Sequence, residues 1–215
     1  MPSSGIDARR KAALQEGNVA YLARREEIVR AAADVFRNRG FEAATLSDVA
    51  KTLGTDRASL YYYVGSKEEL LQEIVRDSLK AVLEAAETIK RSRSSTPEKI
   101  QALIESMVVN YVTNYPHMSV YTEDLGRIAR QDSKWSVDVI EQARRYEKLV
   151  QSVLAKGQRD GSLHSELSVE LAALSLFGMI NWMHRWYRPT TEFSATEIAS
   201  TFTQVFLHGC GRPGP

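Results

Sequence analysis

Arg57, Ser59, Tyr61, Tyr62 and Tyr63 fall within one seven-residue run, and Thr45 and Lys67 flank it. A guanidinium presents paired N–H groups that match the O6 and N7 acceptors of guanine, whereas hydroxyls and an ammonium hold phosphate oxygens. Arg57 is therefore the candidate base reader. Thr45, Tyr61, Tyr63 and Lys67 are candidate phosphate ligands, and Ser59 and Tyr62 are expected towards the same groove. Such a set recognises double-stranded DNA and turns nothing over. No Gly-x-Ser-x-Gly nucleophile, phosphate loop or metal-ligand spacing occurs elsewhere. The histidines (His117, His164, His184, His208) are dispersed and Cys210 is the single cysteine. No enzyme activity, cofactor, metal or internal disulfide is expected, and the chain suits a reducing cytoplasm. Its most apolar stretch, 171–180, is far short of the ~20 residues of a membrane span.

The candidate residues need short, exposed helices to carry them, and the flanking signals supply these. Residues 25–39 put Ile28, Ala32, Val35 and Phe36 on one helical face, with Gly40 placed as a left-handed cap. Thr45, with Asp48 three positions on, opens a short helix to Leu53 that Gly54 ends. Asp56 caps a second, residues 57–64. Gly65 stops it, and the Ser66-Lys67-Glu68-Glu69 capping box starts a long helix over 67–90. Two stubby helices joined by a glycine turn and braced by a longer one make a helix-turn-helix pattern. Leu60 and Val64, four apart, are positioned to anchor the second short helix against Val49, Ala50 and Phe36. Three consecutive helical residues fan over roughly 200°, so at least one of the three tyrosines is exposed.

Beyond a basic linker over 90–97, apolar residues recur at spacings of three and four and strand signals are weak, so the chain is expected to be all-α. Helices are expected over 97–115 (closed by Pro116), 117–129, 133–156 (ended by Gly157 and Gly161), 168–187 and 195–207. The 168–187 segment is apolar on more than one face, which predicts burial on several sides. Together the last two helices offer more apolar surface than one subunit covers, and a homodimer through them is the economical arrangement.

The series Gly40-Phe41, Thr45-Leu46-Ser47-Asp48-Val49-Ala50, Gly54 and Ala58-Ser59-Leu60-Tyr61-Tyr62-Tyr63-Val64-Gly65-Ser66-Lys67-Glu68-Glu69-Leu70 resembles the TetR family of bacterial transcriptional regulators. The resemblance implies a three-helix helix-turn-helix DNA-binding head, a helical-bundle body for ligand binding and dimerisation, and repression by a dimer on a pseudo-palindromic operator. Residues 1–23 are then a flexible basic arm, 24–70 the head and 71–215 the body. The sequence departs from the family at Thr55-Asp56, where a β-branched apolar residue and Ser are usual, and at Tyr63-Val64, where His-Phe is usual. Asp56 preserves capping and Tyr63 preserves a phosphate donor, but a carboxylate beside Arg57 can also hold that guanidinium away from a base.

In the body, Val120-Tyr121-Thr122-Glu123-Asp124-Leu125 and Trp186-Tyr187-Arg188-Pro189 are similar to TetR-family regulators of fatty-acid and steroid breakdown. That similarity implies a small hydrophobic effector such as an acyl-CoA thioester, whose binding releases the operator. Independently, Met107, Tyr111, Met118, Tyr121, Tyr146, Phe177, Trp182 and Trp186 lie on helices expected to face one another and can line an apolar pocket, although for any one of them ordinary core is the better reading. Arg127, Arg130, Arg144, Arg145 and Arg185 are the cations on offer for CoA phosphates. A multidrug-type sensor controlling an efflux pump is the alternative, using Glu105 and Glu123 as buried carboxylates for aromatic cations. His184 is assigned to a dimer interface rather than to chemistry.

The net charge of +1 conceals an uneven distribution: residues 1–25 carry five Lys or Arg against two acids, and 26–76 carry seven against nine. The motif is slightly acidic. Its grip on DNA must rest on hydroxyls, the helix N-termini at Thr45 and Ser66 and a few placed cations, with the arm adding salt-sensitive contacts.

Overall fold

The computed structural model describes residues 19–130 and 134–210, and among these the chain is helical with no strands. In chain order the helices are α1 (Val19–Arg39), α2 (Leu46–Thr52), α3 (Arg57–Tyr63), α4 (Lys67–Arg91) and α5 (Thr96–Thr113), then α6 (His117–Ala129), α7 (Lys134–Asp160), α8 (Val169–Asn181), α9 (Met183–Trp186) and α10 (Ala195–Cys210). None of them is long and apolar enough to cross a membrane.

The first helix starts at Val19 rather than Arg25, so residues 19–23, expected in the arm, are helical. Tertiary contacts recruit them. Tyr21 is buried with its ring stacked 5.0 Å from that of Tyr63, and buried Arg25 bonds Glu69 at 2.7 Å and also Glu73. Residues 1–18 of the expected arm lie outside the described residues, as does residue 133 at the expected start of α7.

Local signals set most of the other boundaries. Thr45 and Asp48 form a reciprocal capping box on α2, Asp56 accepts from the Ser59 N–H at the start of α3, and Ser66 accepts from the Glu69 N–H at the start of α4. Gly40 and Gly54 adopt φ of 75° and 63°, a region costly for any residue with a Cβ. Gly157 does not end α7. The helix runs through it to Asp160, and a Cβ at Gly157 would come within 2.8 Å of Leu163 and Thr96.

Two cores result. Ile28, Phe36, Val49, Ala50, Leu60 and Val64 bury one another in the head, as the spacing of Leu60 and Val64 predicts. Each large side chain so buried contributes about 1.5–3 kcal/mol. The head core is not closed on itself, because it also takes Ile74 from α4, Val120 and Tyr121 from α6 and Val139 from α7. Ile100, Leu103, Tyr111, Val150, Leu154 and Leu176 form the body core, and Met118 packs against both. Helix α6 touches α1, α4, α7 and α9, so it lies between head and body.

The 168–187 segment differs from expectation in two ways. It breaks at Trp182 into α8 and α9, and within one subunit it is not buried on several sides. Leu171 is 65% exposed, Leu174 49% and Trp182 61%, and Val205 on α10 is 60% exposed. The extra apolar face points out of the subunit.

Candidate functional site

Helix α3 carries Arg57, Ala58 and Ser59 exposed, Tyr62 half-exposed and Tyr61 partly covered, while Leu60 and Val64 tie it to the core. Arg57 Nη2 donates to the Tyr61 hydroxyl at 2.7 Å, with the guanidinium 5.3 Å from that ring's centroid. The expected capture of Arg57 by Asp56 does not occur among these contacts. Both Asp56 oxygens serve Ser59, accepting from its N–H at 2.8 Å and its hydroxyl at 2.6 Å. The Ser59 hydroxyl bond, followed by its backbone bond, holds the Asp56 carboxyl below its ordinary pKa.

The expected phosphate ligands divide by what their polar atoms already do. The Thr45 hydroxyl donates to Asp48 at 2.7 Å and accepts from the Asp48 N–H, so the cap occupies it. The Asp48 carboxyl is held low, first by that hydroxyl, and it also pairs with Arg39 at 2.6 Å. Lys67 departs from its expected role. Its ammonium donates to the carbonyls of Phe41, Glu42 and Ala44 at 2.9, 3.0 and 3.3 Å and lies 4.6 Å from the Phe41 ring, so it pins the α1–α2 turn to α4 instead of offering free donors. Tyr63 packs inward on Tyr21, and Tyr62 meets both rings edge-on. The exposed face of the motif is thus Arg57, Ala58, Ser59, Tyr61 and Tyr62.

Sequence reasoning missed the buried Arg25 with Glu69 and Glu73, which fastens the start of α1 to α4. An isolated arginine inside an amphipathic stripe carries no sequence signal of burial. Glu69 also accepts from the Gly65 N–H at 2.7 Å, so one carboxylate joins the α3–α4 turn to α1.

In the body a cavity of about 340 Å³ opens among α4, α5, α6, α7 and α8. Met107, Tyr111, Met118, Tyr121, Tyr146 and Phe177 line it, as expected of them. Trp182 and Trp186 do not. They are 61% and 37% exposed, because the break at Trp182 turns their rings outwards; Trp182 packs against Arg185 and His184. Spacing missed Leu79, Val82, Asn110, Ile140 and Glu147 in the lining. Polar residues on a cavity wall look like solvated ones in sequence. Burial pushes the phenols of Tyr111 and Tyr121 up to about 12 and raises that of Tyr146 as well, so all three stay protonated at neutral pH.

Among the expected cations, Arg144 borders the cavity. Arg145 pairs with Glu87 beside Lys90, Arg91 and Lys148 in a neighbouring open cleft between α4 and α7. Arg130 and Arg185 are exposed away from the cavity, and the Arg127 side chain lies outside the described residues. Glu105 and Glu123 are exposed and do not line the cavity, which removes the buried carboxylates on which the aromatic-cation alternative depends. Glu147 is the acidic residue in the lining, and it accepts from Gln151 at 3.0 Å.

Comparison with known proteins covers both regions. The family model described as bacterial regulatory proteins, tetR family, matches residues 28–74, and that of the tetracyclin repressor-like C-terminal domain matches residues 93–210. The HTH-type transcriptional repressor KstR2 of Mycolicibacterium smegmatis is 27% identical over 187 residues, which cover 86% of this chain and 90% of that protein. The structure of the ketosteroid transcriptional regulator KstR2 of Mycobacterium tuberculosis superposes with a TM-score of 0.83 at 25% identity, covering 88% of this chain and 96% of that one. AibR, solved in complex with isovaleryl coenzyme A and operator DNA, shares the fold with a TM-score of 0.70 at 18% identity, over 85% of this chain and 97% of that one. Regulators of this kind bind operator DNA as dimers and answer to a small molecule. The chain belongs to the TetR family and is a ligand-responsive, DNA-binding transcriptional repressor, not an enzyme.

Proposed function

We propose that this repressor leaves a pseudo-palindromic operator when a small hydrophobic effector of the acyl-CoA thioester type, from lipid or steroid breakdown, enters the body cavity. The observation that carries the reading is that Tyr121 and Met118 line the cavity and also pack against the head core, so an occupant that displaces them moves the α6 surface on which α1 rests. About 340 Å³ lies at the small end of ligand pockets. It accommodates an acyl chain or a compact ring system and leaves the nucleotide outside, where Lys90, Arg91, Arg145 and Lys148 offer cations for phosphates. The similarity to KstR2 and the isovaleryl coenzyme A held by AibR favour this class over aromatic cations.

On the operator, Arg57 reads a base edge in the major groove while Ser59, Tyr61 and Tyr62 contact the groove or its phosphates. The exposed apolar face of α8 and α10 pairs with its equivalent in a second copy, which sets the distance between the two α3 helices. Half-sites one helical turn apart tolerate little change in that distance, so a coupling of about 1–3 kcal/mol yields roughly 5- to 150-fold derepression. The test is operator binding by fluorescence anisotropy with the chain's upstream DNA, in the presence of acyl-CoA thioesters, free acids and cationic drugs. Selective release by a thioester is expected, and release by cationic drugs alone would reject the effector class.

A further inference from the structure

Three polar atoms of the lining residues are buried without a partner at hydrogen-bond distance, Asn110 Nδ2 and the hydroxyls of Tyr111 and Tyr146, and of these the Tyr111 hydroxyl has the Ser119 side chain beside it as a polar neighbour. Buried polar groups are nearly always paired, because leaving water without compensation is costly. The orientation of the Asn110 amide follows from its neighbour. Asn114 Nδ2 donates both to the Asn110 backbone carbonyl at 3.1 Å and to Asn110 Oδ1 at 2.8 Å. Only an NH2 group serves two acceptors in this way, so Asn114 presents its nitrogen, Asn110 must answer with its oxygen, and its own NH2 is left over. Tyr146, its ring 5.9 Å from that of Phe177, keeps its proton because burial raises the phenol. Asn110 and Tyr146 are therefore the neutral donors of the cavity that no polar side chain engages, in a wall otherwise formed largely by apolar side chains such as Met107, Leu174, Phe177 and Ile180.

We propose that Asn110 and Tyr146 form a receiving site for a neutral hydrogen-bond acceptor of the effector, a ketone or thioester carbonyl. The inference rests on the cavity being the effector site, and it names the functional group that the site selects. A cation brings no acceptor, so the Asn110 NH2 and the Tyr146 hydroxyl proton stay unpaired. A carboxylate loses more on leaving water than two neutral donors return, Arg144 at the cavity border being exposed to solvent, and a bare hydrocarbon satisfies neither. A site built to hydrogen-bond a ligand group discriminates strongly against the analogue that lacks it.

The experiment uses the full chain and two matched pairs of probes, trans-1-decalone against trans-decalin and decanoyl-CoA against its thioether S-decyl-CoA, with affinities from calorimetric titration. The carbonyl-bearing member of each pair is expected to bind about tenfold more tightly. Tyr146→Phe and Asn110→Leu should each shrink that ratio towards one, because the carbonyl loses a donor and the hydrocarbon no longer leaves one unpaired. Tyr146→Phe deletes a hydroxyl that has no partner, so the variant stays folded and keeps the test valid. Equal affinity within the decalone pair, or a preference that survives both substitutions, overturns the proposal. A decalone preference without binding of either CoA derivative upholds it and rejects only the acyl-CoA reading. Binding of both CoA derivatives with equal affinity does the reverse, and a chain that binds none of the four probes overturns both.

Discussion

Arg37 Nη1 donates to the Tyr115 hydroxyl at 2.5 Å, and the guanidinium lies 5.0 Å from the centroid of the same ring. Arg37 belongs to the last turn of α1 in the head, and Tyr115 follows α5 in the body. Behind Tyr115 the contact continues edge-on to Tyr187 at 5.5 Å and from Tyr187 to Tyr111 at 5.9 Å, and Tyr111 lines the cavity. Packed rings of this kind join the body cavity to the head.

Tyr115→Phe keeps the ring and removes the bond. A hydrogen bond to a charged group contributes about 1.5–3 kcal/mol, so a fall in stability of up to that amount is expected. Operator affinity without effector should change by less than about threefold, whereas effector-driven release should weaken about fivefold if the junction is coupled. Anisotropy titrations with and without effector decide it. An unaltered release would place the coupling in Met118 and Tyr121 instead.

Arg57→Ala should lower operator affinity by about 1–3 kcal/mol and relax base preference at one position of each half-site. Tyr61→Phe, which frees Arg57 from its intrahelical partner, should retain that preference. Selection from a randomised operator library measures both, and an unchanged consensus with Arg57→Ala would remove its role as base reader.

Lys67→Met should destabilise the head by about 2 kcal/mol, because three carbonyls lose a charged donor. The salt dependence of operator binding should keep its slope, since the ammonium is committed within the protein. Removal of residues 1–18 should have the opposite profile, a shallower slope with unchanged thermal stability. Plots of log affinity against log salt separate the two, and a shallower slope for Lys67→Met would return that residue to the phosphate contacts.

Leu171→Glu and Val205→Glu place charges on the exposed apolar face without touching the cavity. Each should shift the protein from dimer to monomer in sedimentation velocity and weaken operator binding at least tenfold, since one head then binds alone. A dimer that survives both substitutions would move the interface elsewhere.

Asp48 and Asp56 both have folded-state pKa values below the ordinary aspartate value, chiefly through the hydroxyls of Thr45 and Ser59. A depressed carboxylate stabilises the fold above its unfolded pKa, and that stabilisation disappears as the pH falls through the folded value. Head stability should therefore be flat from neutrality down to about pH 4 and decline below it. Asp56→Asn should flatten that acid limb, which melting curves across the range will show.

What the sequence determined by itself is the part of the molecule written in local code. Thr45 with Asp48, Asp56 with Ser59, and Gly40 and Gly54 act within about four residues, so the positions and lengths of α2 and α3 follow from the chain without knowledge of anything distant. The pairing of Leu60 and Val64 with the rest of the head core was legible for the same reason, since residues four apart share one helical face. The tertiary structure decided everything that depends on which face meets which neighbour. Helical spacing is satisfied equally by a cavity wall, a packed core and a subunit surface, so it placed Tyr146 and Phe177 correctly at the cavity and Trp182 and Trp186 wrongly. Likewise, an ammonium that can hold a phosphate can equally hold three carbonyls brought together by folding, and only the approach of the α1–α2 turn to α4 gave Lys67 the second role.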